Sequence, residues 1–313
     1  MPALHASIPR TGRWRALALA ALGACDLTRA APAPDATVID GFPPPQPGVV
    51  PALGSPDTLD LACWNIENFP MVTQTPSDVA DLITSLDLDV VVVEEIASED
   101  AWHELLTRLP EHDGVLSTHV YNATSYQKIG IIYRTATVSI DQVELLFQDD
   151  TNAFPRPPLH AHLHYDDGAH ASVDLDLVGL HLKAGVASED IARRQLALVA
   201  IDGWQRARTA DPGTIFLGDW NQELDTYDGP TVWAPITAAP DVYTIRTQPL
   251  SMAGEATFLP AHSMIDHIVT TAAAAPVLAA PTTIVPRLDT EYNPYPQVSD
   301  HLPVVLTIPL APR

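Results

Sequence analysis

Basic residues are scarce in this chain of 313 residues, whereas acidic residues are plentiful. Sixteen lysines and arginines stand against 39 aspartates and glutamates, which gives a formal net charge of −23. A broad basic surface for the phosphate backbone of nucleic acid is therefore excluded, because such a surface needs a local excess of cations. Any nucleic-acid substrate must be held by local contacts at a site or through bridging divalent cations.

Cysteines and long apolar runs are also scarce. The sequence has two cysteines, Cys25 and Cys63, a number that excludes a disulfide framework and a cysteine-rich zinc site. The apolar run near the N-terminus covers nine residues, 16–24. A helix that crosses a bilayer needs about 20 apolar residues, so this run is too short to span one. No glycine-rich phosphate loop is present.

The N-terminal segment has the layout of an export signal. Residues 1–24 carry three arginines and no acidic residue, and they end in the short apolar run. That arrangement is typical of a signal peptide. The sequence Leu22-Gly23-Ala24-Cys25 resembles a bacterial lipobox, in which Cys25 is lipidated and becomes the first mature residue. We expect a cell-envelope lipoprotein, periplasmic or at the cell surface. The alternatives are an extracellular protein with a plain signal peptide and a chain whose true start lies further on.

Residues 25–58 are predicted to be a proline-rich linker. Eight of the 27 residues from Pro32 to Thr58 are proline. Such a composition favours extended chain with few packing contacts. The linker would hold the folded domain away from a membrane surface, and that domain is expected to cover residues 59–313.

Within this domain, short apolar runs alternate with amphipathic patterns. The patterns predict helices at 77–86, 100–109 and 188–208. The apolar runs predict strands at 61–65, 89–94, 129–133, 138–146, 158–164, 173–181, 214–218, 265–269 and 304–308. Many strands with few helices indicate two packed sheets with helices outside.

Polar residues follow or precede six of these strands. They are all Asn, Glu, Asp or His: Asn65 with Glu67, Glu94-Glu95, His181, Asp219 with Asn221, Asp266-His267 and Asp300-His301. A carboxylate beside a buried strand is unfavourable unless a partner compensates its lost hydration. Two carboxylates about 4 Å apart repel by roughly 1–4 kcal/mol at effective dielectric constants of 80 to 20. Convergence of these groups therefore predicts a divalent cation, and hard oxygen ligands with a histidine suit Mg²⁺, Mn²⁺ or Ca²⁺.

The ordered set of motifs resembles the endonuclease/exonuclease/phosphatase superfamily, which includes deoxyribonuclease I, abasic-site endonucleases, neutral sphingomyelinases and inositol polyphosphate 5-phosphatases. The resemblance covers about residues 59–308. It implies an α+β fold, a four-layer αββα sandwich of two mixed β-sheets flanked by helices. It implies metal ligands at Asn65, Glu67, Glu95 and Asp300. The catalytic residues that it implies are His181, Asp219, Asn221, Asp266 and His301.

Two further stretches resemble the deoxyribonuclease branch of that superfamily. They contain Tyr126 and Arg156, and the resemblance implies that both contact substrate, Arg156 at a flanking phosphate. One residue departs from the branch, because Lys128 stands where the branch has a glutamate that orients the second histidine. How His181 is held is therefore left open. Glu94 replaces the usual glutamine and is expected to support Glu95.

The resemblance implies hydrolysis of phosphodiester bonds with Mg²⁺, or with Mn²⁺ or Ca²⁺. His301, made more basic by Asp266, would take a proton from water, and Asp219 is the alternative base. His181 or a metal-bound water would serve the leaving oxygen. The first interpretation is an exported or lipid-anchored nuclease, an endonuclease that holds nucleic acid by local contacts. The alternatives are a phosphodiesterase or phosphatase for phospholipids such as sphingomyelin or for small phosphate esters, and a non-catalytic binding protein. No protein partner is inferred.

Three histidines, His160, His162 and His164, alternate along one predicted strand and therefore share a face. A solvated face is expected there, with a metal-binding patch as the alternative. Trp64 and Trp220 flank site residues and are expected to support them from the core.

Overall fold

The computed structural model describes residues 42–226 and 228–313. The predicted signal peptide and Cys25 lie outside the described residues. The described residues contain seven α-helices: α1 (Thr75–Leu86), α2 (Glu99–Arg108), α3 (Ser188–Ala207), α4 (Gly229–Val232), α5 (Ala234–Thr237), α6 (Gln248–Met252) and α7 (Leu288–Glu291). None of these helices is long and apolar enough to cross a membrane.

Twelve strands are present among the described residues, and they form two sheets of six. The first half of the chain supplies β1 (Thr58–Phe69), β2 (Val90–Ile96), β3 (His112–Leu116), β4 (Lys128–Arg134), β5 (Val138–Leu145) and β6 (Leu159–Tyr165). The second half supplies β7 (Val173–His181), β8 (Thr214–Asp219), β9 (Tyr243–Ile245), β10 (Asp266–Thr271), β11 (Thr282–Ile284) and β12 (Val304–Pro309).

Both sheets are mixed. The strand order of the first is β11-β12-β1-β2-β4-β3, and that of the second is β5-β6-β7-β8-β10-β9. The pairs β1–β2 and β7–β8 are parallel, and the other neighbours are antiparallel. The predicted α+β fold, two mixed sheets flanked by helices, is confirmed.

The sheets pack closely face to face, because the strands at their centre are apolar and carry a small residue at the contact. Val90, Val91, Val92 and Val93 of β2 are all at most 2% exposed. A Cβ on Gly179 of β7 would lie 2.8 Å from the side chain of Val92 and 2.9 Å from that of Ile129, so a larger residue would push the sheets apart. The core between the sheets therefore fixes the spacing of the strand ends where the polar residues lie.

The C-terminal part of the predicted linker runs along helix α1. Residues 42–57 contain no helix or strand, but their backbone N–H groups reach α1. Gln46 donates to the carboxylate of Asp81 at 2.6 Å, and Leu53 and Gly54 both donate to the carbonyl of Leu86 at 3.0 Å. These contacts attach the segment to the domain, although β1 itself begins at Thr58, next to the predicted boundary.

Candidate active site

Strand register brings polar residues from both sheets to one end of the sandwich. In the first sheet, Asn65 of β1 lies opposite Glu94 of β2. In the second sheet, Asp219 at the end of β8 lies between His181 of β7 and Asp266 of β10. Because β1–β2 and β7–β8 are parallel pairs, their carboxyl ends lie at the same edge of each sheet.

The ends of β1 and β2 are irregular, and this irregularity turns two carboxylates toward the cavity described below. The β1–β2 register shifts between Asn65 and Phe69, and the β2–β4 register shifts after Val93. Glu67 and Glu95 adopt positive φ angles of 39° and 64°. Such left-handed backbone is unfavourable for glutamate and is characteristic of bulges near functional sites. Both side chains line the cavity as a result.

Asn65 connects the two sheets at this edge. Its Nδ2 donates to Asp219 Oδ2 at 3.1 Å and to Glu95 Oε1 at 3.3 Å. Its Oδ1 accepts the backbone N–H of Glu67 at 3.0 Å. The side chain is 1% exposed, so these hydrogen bonds fix the amide. Asn65 holds two of the carboxylates near each other.

His301 and Asp266 form the predicted carboxylate–imidazole pair. His301 Nδ1 lies 2.8 Å from Asp266 Oδ2, and both residues are buried. Burial opposes the charged imidazole, but the carboxylate of Asp266 outweighs burial, and together with Asp219 and Asp300 it raises the pKa of His301 to about 10. The Nε2 atom is directed toward Asp300, whose Oδ1 is 3.9 Å away.

Hydrogen bonds with the side chains of Ser299 and Trp64 hold the backbone of His301. Ser299 Oγ accepts the N–H of His301 at 2.8 Å and donates to the carbonyl of Asn65 at 2.6 Å. Trp64 Nε1 donates to the carbonyl of His301 at 3.2 Å. Trp64 therefore supports a site residue from the core, whereas Trp220 donates to the carbonyl of His267, the neighbour of Asp266, at 2.9 Å.

Asp219 is the most central carboxylate of the site. It is 2% exposed, and burial together with the negative charge of Asp266 raises its pKa to about 7. Among the described residues, Asp219, Asp266 and His301 form the one group of three whose ligand atoms all lie within 4.8 Å of one another. Asn221, at φ 53°, donates its N–H to Asp219 Oδ1 at 2.8 Å.

His181 is buried and neutral, and Arg156 fixes its backbone. Its Nε2 lies 3.5 Å from Asp219 Oδ2 and 3.6 Å from Glu95 Oε1. Burial, followed by the nearby charge of Arg156, lowers the pKa of His181 well below its ordinary value. Arg156 Nε donates to the carbonyl of His181 at 3.0 Å, and its Nη2 donates to that of Leu182.

Arg156 and Tyr126, the two predicted substrate contacts, lie outside the cavity. Arg156 is 8% exposed, and its guanidinium is occupied by backbone carbonyls and by Gln127, so it positions the site rather than facing a flanking phosphate. The hydroxyl of Tyr126 accepts the N–H of Glu99 at 2.9 Å. Lys128 packs over the Tyr126 ring and pairs with Glu99 at 3.1 Å. These residues build the neighbouring loop.

A cavity of about 880 Å³ opens at this end of the sandwich. Seven of the predicted site residues line it: Glu67, Glu95, His181, Asp219, Asn221, Asp300 and His301. Asn65 lies beside the lining and donates to Glu95 and Asp219. Asp266 lies behind His301, fully buried. The volume is within the usual range for small-molecule sites.

The residues present suit a divalent cation. Glu67, Glu95 and Asp300 all offer carboxylate oxygens. Burial raises the pKa of Glu67, and the negative charges of Asp300 and Glu95 raise it further. Asp266 Oδ1 is buried and lacks a hydrogen-bond partner among the described residues. Accumulated negative charge with few compensating cations is the electrostatic condition that a hard cation relieves. Glu67, Glu95 and Asp300, with Asn65 beside them, are the residues that would hold it.

Two residues of the site have no counterpart in the sequence-based prediction. Asn68, at φ 44°, donates its N–H to Glu95 Oε2 at 2.9 Å. Gln127 Nε2 donates to Asn68 Oδ1 at 2.8 Å and its Oε1 accepts Arg156 Nη1 at 3.0 Å. A hydrogen-bonded chain therefore runs from Arg156 to Glu95. The only sequence signal for it was the asparagine at a strand end, a residue type that tolerates left-handed backbone.

Glu94 and the strand histidines lie apart from the cavity. Glu94 is fully buried, and burial, then the charges of Asp266 and Asp219, raises its pKa well above the ordinary value. It therefore sits neutral behind Glu95. His162 Nδ1 is 2.9 Å from Asp176 Oδ1. His164 Nδ1 is 2.8 Å from Asp174 Oδ1, so both histidines contact a carboxylate of the neighbouring strand β7.

The sequence matches the family model described as the Endonuclease/Exonuclease/phosphatase family over residues 62–301. The chain belongs to this family. The match extends from β1 to His301 and so includes every predicted site residue. No curated protein matches the sequence.

Solved structures show the same fold in distant relatives. The chain resembles TDP2 of D. rerio in complex with a single-strand DNA product, at 16% identity and a TM-score of 0.60, covering 80% of this chain and 98% of that one. An AP endonuclease from Archaeoglobus fulgidus matches at 14% identity and a TM-score of 0.56, covering 80% and 99%. A mannosyl-6-phosphatase from Bacteroides thetaiotaomicron matches at 15% identity and 0.54, covering 80% and 99%.

Proposed function

We propose that this member of the endonuclease/exonuclease/phosphatase family is a divalent-metal-dependent phosphodiester hydrolase. The observation that carries the proposal is the buried His301–Asp266 pair, 2.8 Å apart, beside a cavity lined by carboxylates from both sheets. Histidine held by a carboxylate is a general base or acid, and a cluster of carboxylates suits a hard cation. Mg²⁺ is the proposed metal, with Mn²⁺ or Ca²⁺ as alternatives.

Each side chain has a role that its contacts allow. Glu67, Glu95 and Asp300 would hold a divalent cation, and the positive charge of that cation would polarise a phosphate oxygen and offset charge in the transition state. His301 exchanges a proton at Nε2, the nitrogen that Asp266 leaves free. Asn65 and Asn221 orient Asp219 through hydrogen bonds of 3.1 and 2.8 Å. Neutral His181 can donate a hydrogen bond to an oxygen of the substrate.

Two substrate classes, nucleic acids and small phosphate esters, each have support. The DNA-bound TDP2 structure and the AP endonuclease favour a nucleic acid, the first interpretation of the sequence. The mannosyl-6-phosphatase favours a small phosphate ester, and the acidic lining of the cavity disfavours a substrate with many negative charges. The observed position of Arg156 weakens the first class, because its guanidinium binds backbone carbonyls.

Export is proposed on the sequence of residues 1–24, and lipid anchoring on Cys25. Labelling of the full chain with palmitate in a bacterial host tests the anchor. Label that is present in the wild type and lost in Cys25→Ala is expected. Equal label in both would remove the anchor from the proposal.

The activity is tested with a chromogenic phosphodiester and Mg²⁺. His301→Ala and Asp219→Ala are each expected to lower kcat by about 10²–10⁴-fold, the usual contribution of a positioned acid or base. His103→Ala serves as the control because His103 is exposed on α2, outside the cavity. Circular dichroism checks that the variants fold. Excess chelator is expected to stop turnover without unfolding the chain, and full turnover in chelator would contradict the metal role.

A further inference from the structure

Acidic residues predominate among the charged residues that line the cavity beside the His301–Asp266 pair. One arginine, Arg194, and no lysine lines it among the described residues. Six carboxylates line it: Glu67, Glu95, Asp219, Glu223, Asp228 and Asp300. Glu223 and Asp228 belong to the loop after β8 of the second sheet, whereas the proposed metal ligands stand beside strands of the first, and we call these two residues the acidic rim.

The cations nearest to the cavity are already committed to protein atoms. Arg194 is 3% exposed, and its Nη1 donates to the carbonyls of Lys183 and Gly185, both at 2.8 Å. Its Nε donates to Gln222 Oε1 at 3.0 Å. Lys183 Nζ lies 2.8 Å from Asp190 Oδ1. Arg194 therefore shapes the loops at the cavity, and its charge acts on Asp228 and Asp219, while Lys183 pairs with Asp190. The imidazole of His301, which also lines the cavity, pairs with Asp266.

Among the described residues no ion pair involves Glu223, whereas Asp228 interacts with the charge of Arg194. Burial, followed by the charges of Asp225 and Asp228, raises the pKa of Glu223. A phosphate placed next to the rim adds a further negative charge to groups that already repel one another. The repulsion lowers the affinity for each additional phosphate and weakens as salt screens it.

Apolar groups occupy much of the remaining lining. Val186 is 93% exposed at the mouth, and Ile191, Phe258 and Ile265 lie further along the wall. A neutral group can bury apolar surface against them. The cavity thus offers apolar contact and negative charge to the groups that flank the scissile phosphate. A polynucleotide backbone needs positive charge there instead.

We infer that the substrate is a phosphodiester with a single negative charge whose flanking groups are uncharged or cationic. This inference rests on the proposed phosphodiester hydrolysis and names its substrate class. A polynucleotide brings flanking phosphates to the acidic rim. A phosphomonoester carries a charge of about −1.5 to −2 at pH 7 and is disfavoured for the same reason.

The test compares one scissile bond in two charge contexts. Initial rates with Mg²⁺ are measured for thymidylyl-thymidine, which has one phosphate, and for a twelve-residue oligothymidylate, expressed as kcat/KM per bond. Bis(4-nitrophenyl) phosphate serves as the reference diester. We expect kcat/KM per bond of the dinucleotide to exceed that of the oligonucleotide by about tenfold or more, and the oligonucleotide rate to rise between low and moderate KCl as the repulsion is screened.

Charge removal at the acidic rim provides the second measurement. Glu223→Gln is expected to raise the ratio of oligonucleotide to dinucleotide kcat/KM by about two- to tenfold, the effect of one carboxylate at intermediate dielectric. Asp149→Asn is the matched control, because Asp149 is exposed between β5 and β6 and lies outside the cavity lining. Its ratio should stay close to that of the wild type.

The outcomes separate this inference from the proposed function. An oligonucleotide that is cleaved faster per bond than the dinucleotide, at a rate that falls with salt, would overturn the inference and leave phosphodiester hydrolysis intact. Absence of turnover on every ester would instead remove the proposed function. Sphingomyelin vesicles and a soluble phosphorylcholine ester, both carrying a cationic flanking group, distinguish a membrane source of the diester from a soluble one.

Discussion

Replacement of Asp266 by asparagine isolates the electrostatic effect of one buried carboxylate on His301. Asparagine keeps the shape and one acceptor oxygen, so the imidazole can stay in place. In the wild type the pKa of His301 is about 10, against an ordinary value of 6.5. That difference corresponds to about 5 kcal/mol between the two protonation states. Burial opposes the charged imidazole, so loss of Asp266 is expected to lower the pKa by about two pH units or more.

The assay is an NMR titration of the histidine ring protons in the metal-free chain. His301 of the wild type should stay protonated from pH 5 to 8, whereas in Asp266→Asn it should lose its proton within or below that range. His267 is an internal reference, because burial lowers its pKa to about 4 and it should stay neutral in both proteins above pH 5. Identical titration of His301 in the two proteins would refute the reasoning.

Both the stability and the turnover of Asp266→Asn are expected to be lower than those of the wild type. A histidine pKa raised by folding stabilises the native state fully below pH 6.5 and loses that contribution as pH rises toward 10. Asp266→Asn should therefore reduce the free energy of unfolding more at pH 6 than at pH 10. With Mg²⁺, kcat should fall by about 10²–10⁴-fold, since the imidazole loses its orienting carboxylate.

Two further predictions concern the scaffold. Gly218, at φ 139°, has room for no Cβ, which would lie 2.1 Å from the carbonyl oxygen of Leu180. Gly218→Ala should lower the free energy of unfolding in urea by about 3 kcal/mol or more, whereas Gly203→Ala, in open space on α3, should raise it by about 0.5–1 kcal/mol. Burial raises the pKa of Asp89 to about 6. The free energy of unfolding should therefore fall by about 3 kcal/mol as the pH rises from 4 to 6, and Asp89→Asn should remove that pH dependence.

Two outcomes would contradict the predictions for the scaffold variants. Equal stability of Gly218→Ala and Gly203→Ala would mean that the β8 backbone relaxes without penalty. A slope between pH 4 and 6 that persists in Asp89→Asn would assign it to other carboxylates.

Most of the fold could be predicted because its long strands are apolar runs bounded by polar residues. The strand at 173–181 and the helix at 188–208 follow such local patterns, and the structure places them at Val173–His181 and Ser188–Ala207. The short strands β3, β9 and β11 were not predicted. They contain three to five residues, too few for a periodic signal, and their pairing partners alone make them strands.

The identity of most site residues could also be predicted from the sequence, but the contacts between them could not. Asp219, Asp266 and His301 stand at strand ends, where unpartnered carboxylates signal a shared compensating group. Arg156 shows the limit of that signal. Whether its guanidinium faces a substrate or the carbonyl of His181, 25 residues away, depends on how β6 and β7 pair and where the loop before β6 lies.

The sequence alone determined which residues are buried and which polar groups lie beside them, because the periodicity of apolar residues is a local property that follows from strand geometry. It also determined the family, since the ordered motifs are read along the chain. Only the tertiary structure decided how the charges are distributed around the cavity. Glu223 and Asp228 face it while Arg194 turns to backbone carbonyls, because contacts between distant segments depend on strand register and loop path rather than on neighbouring residues.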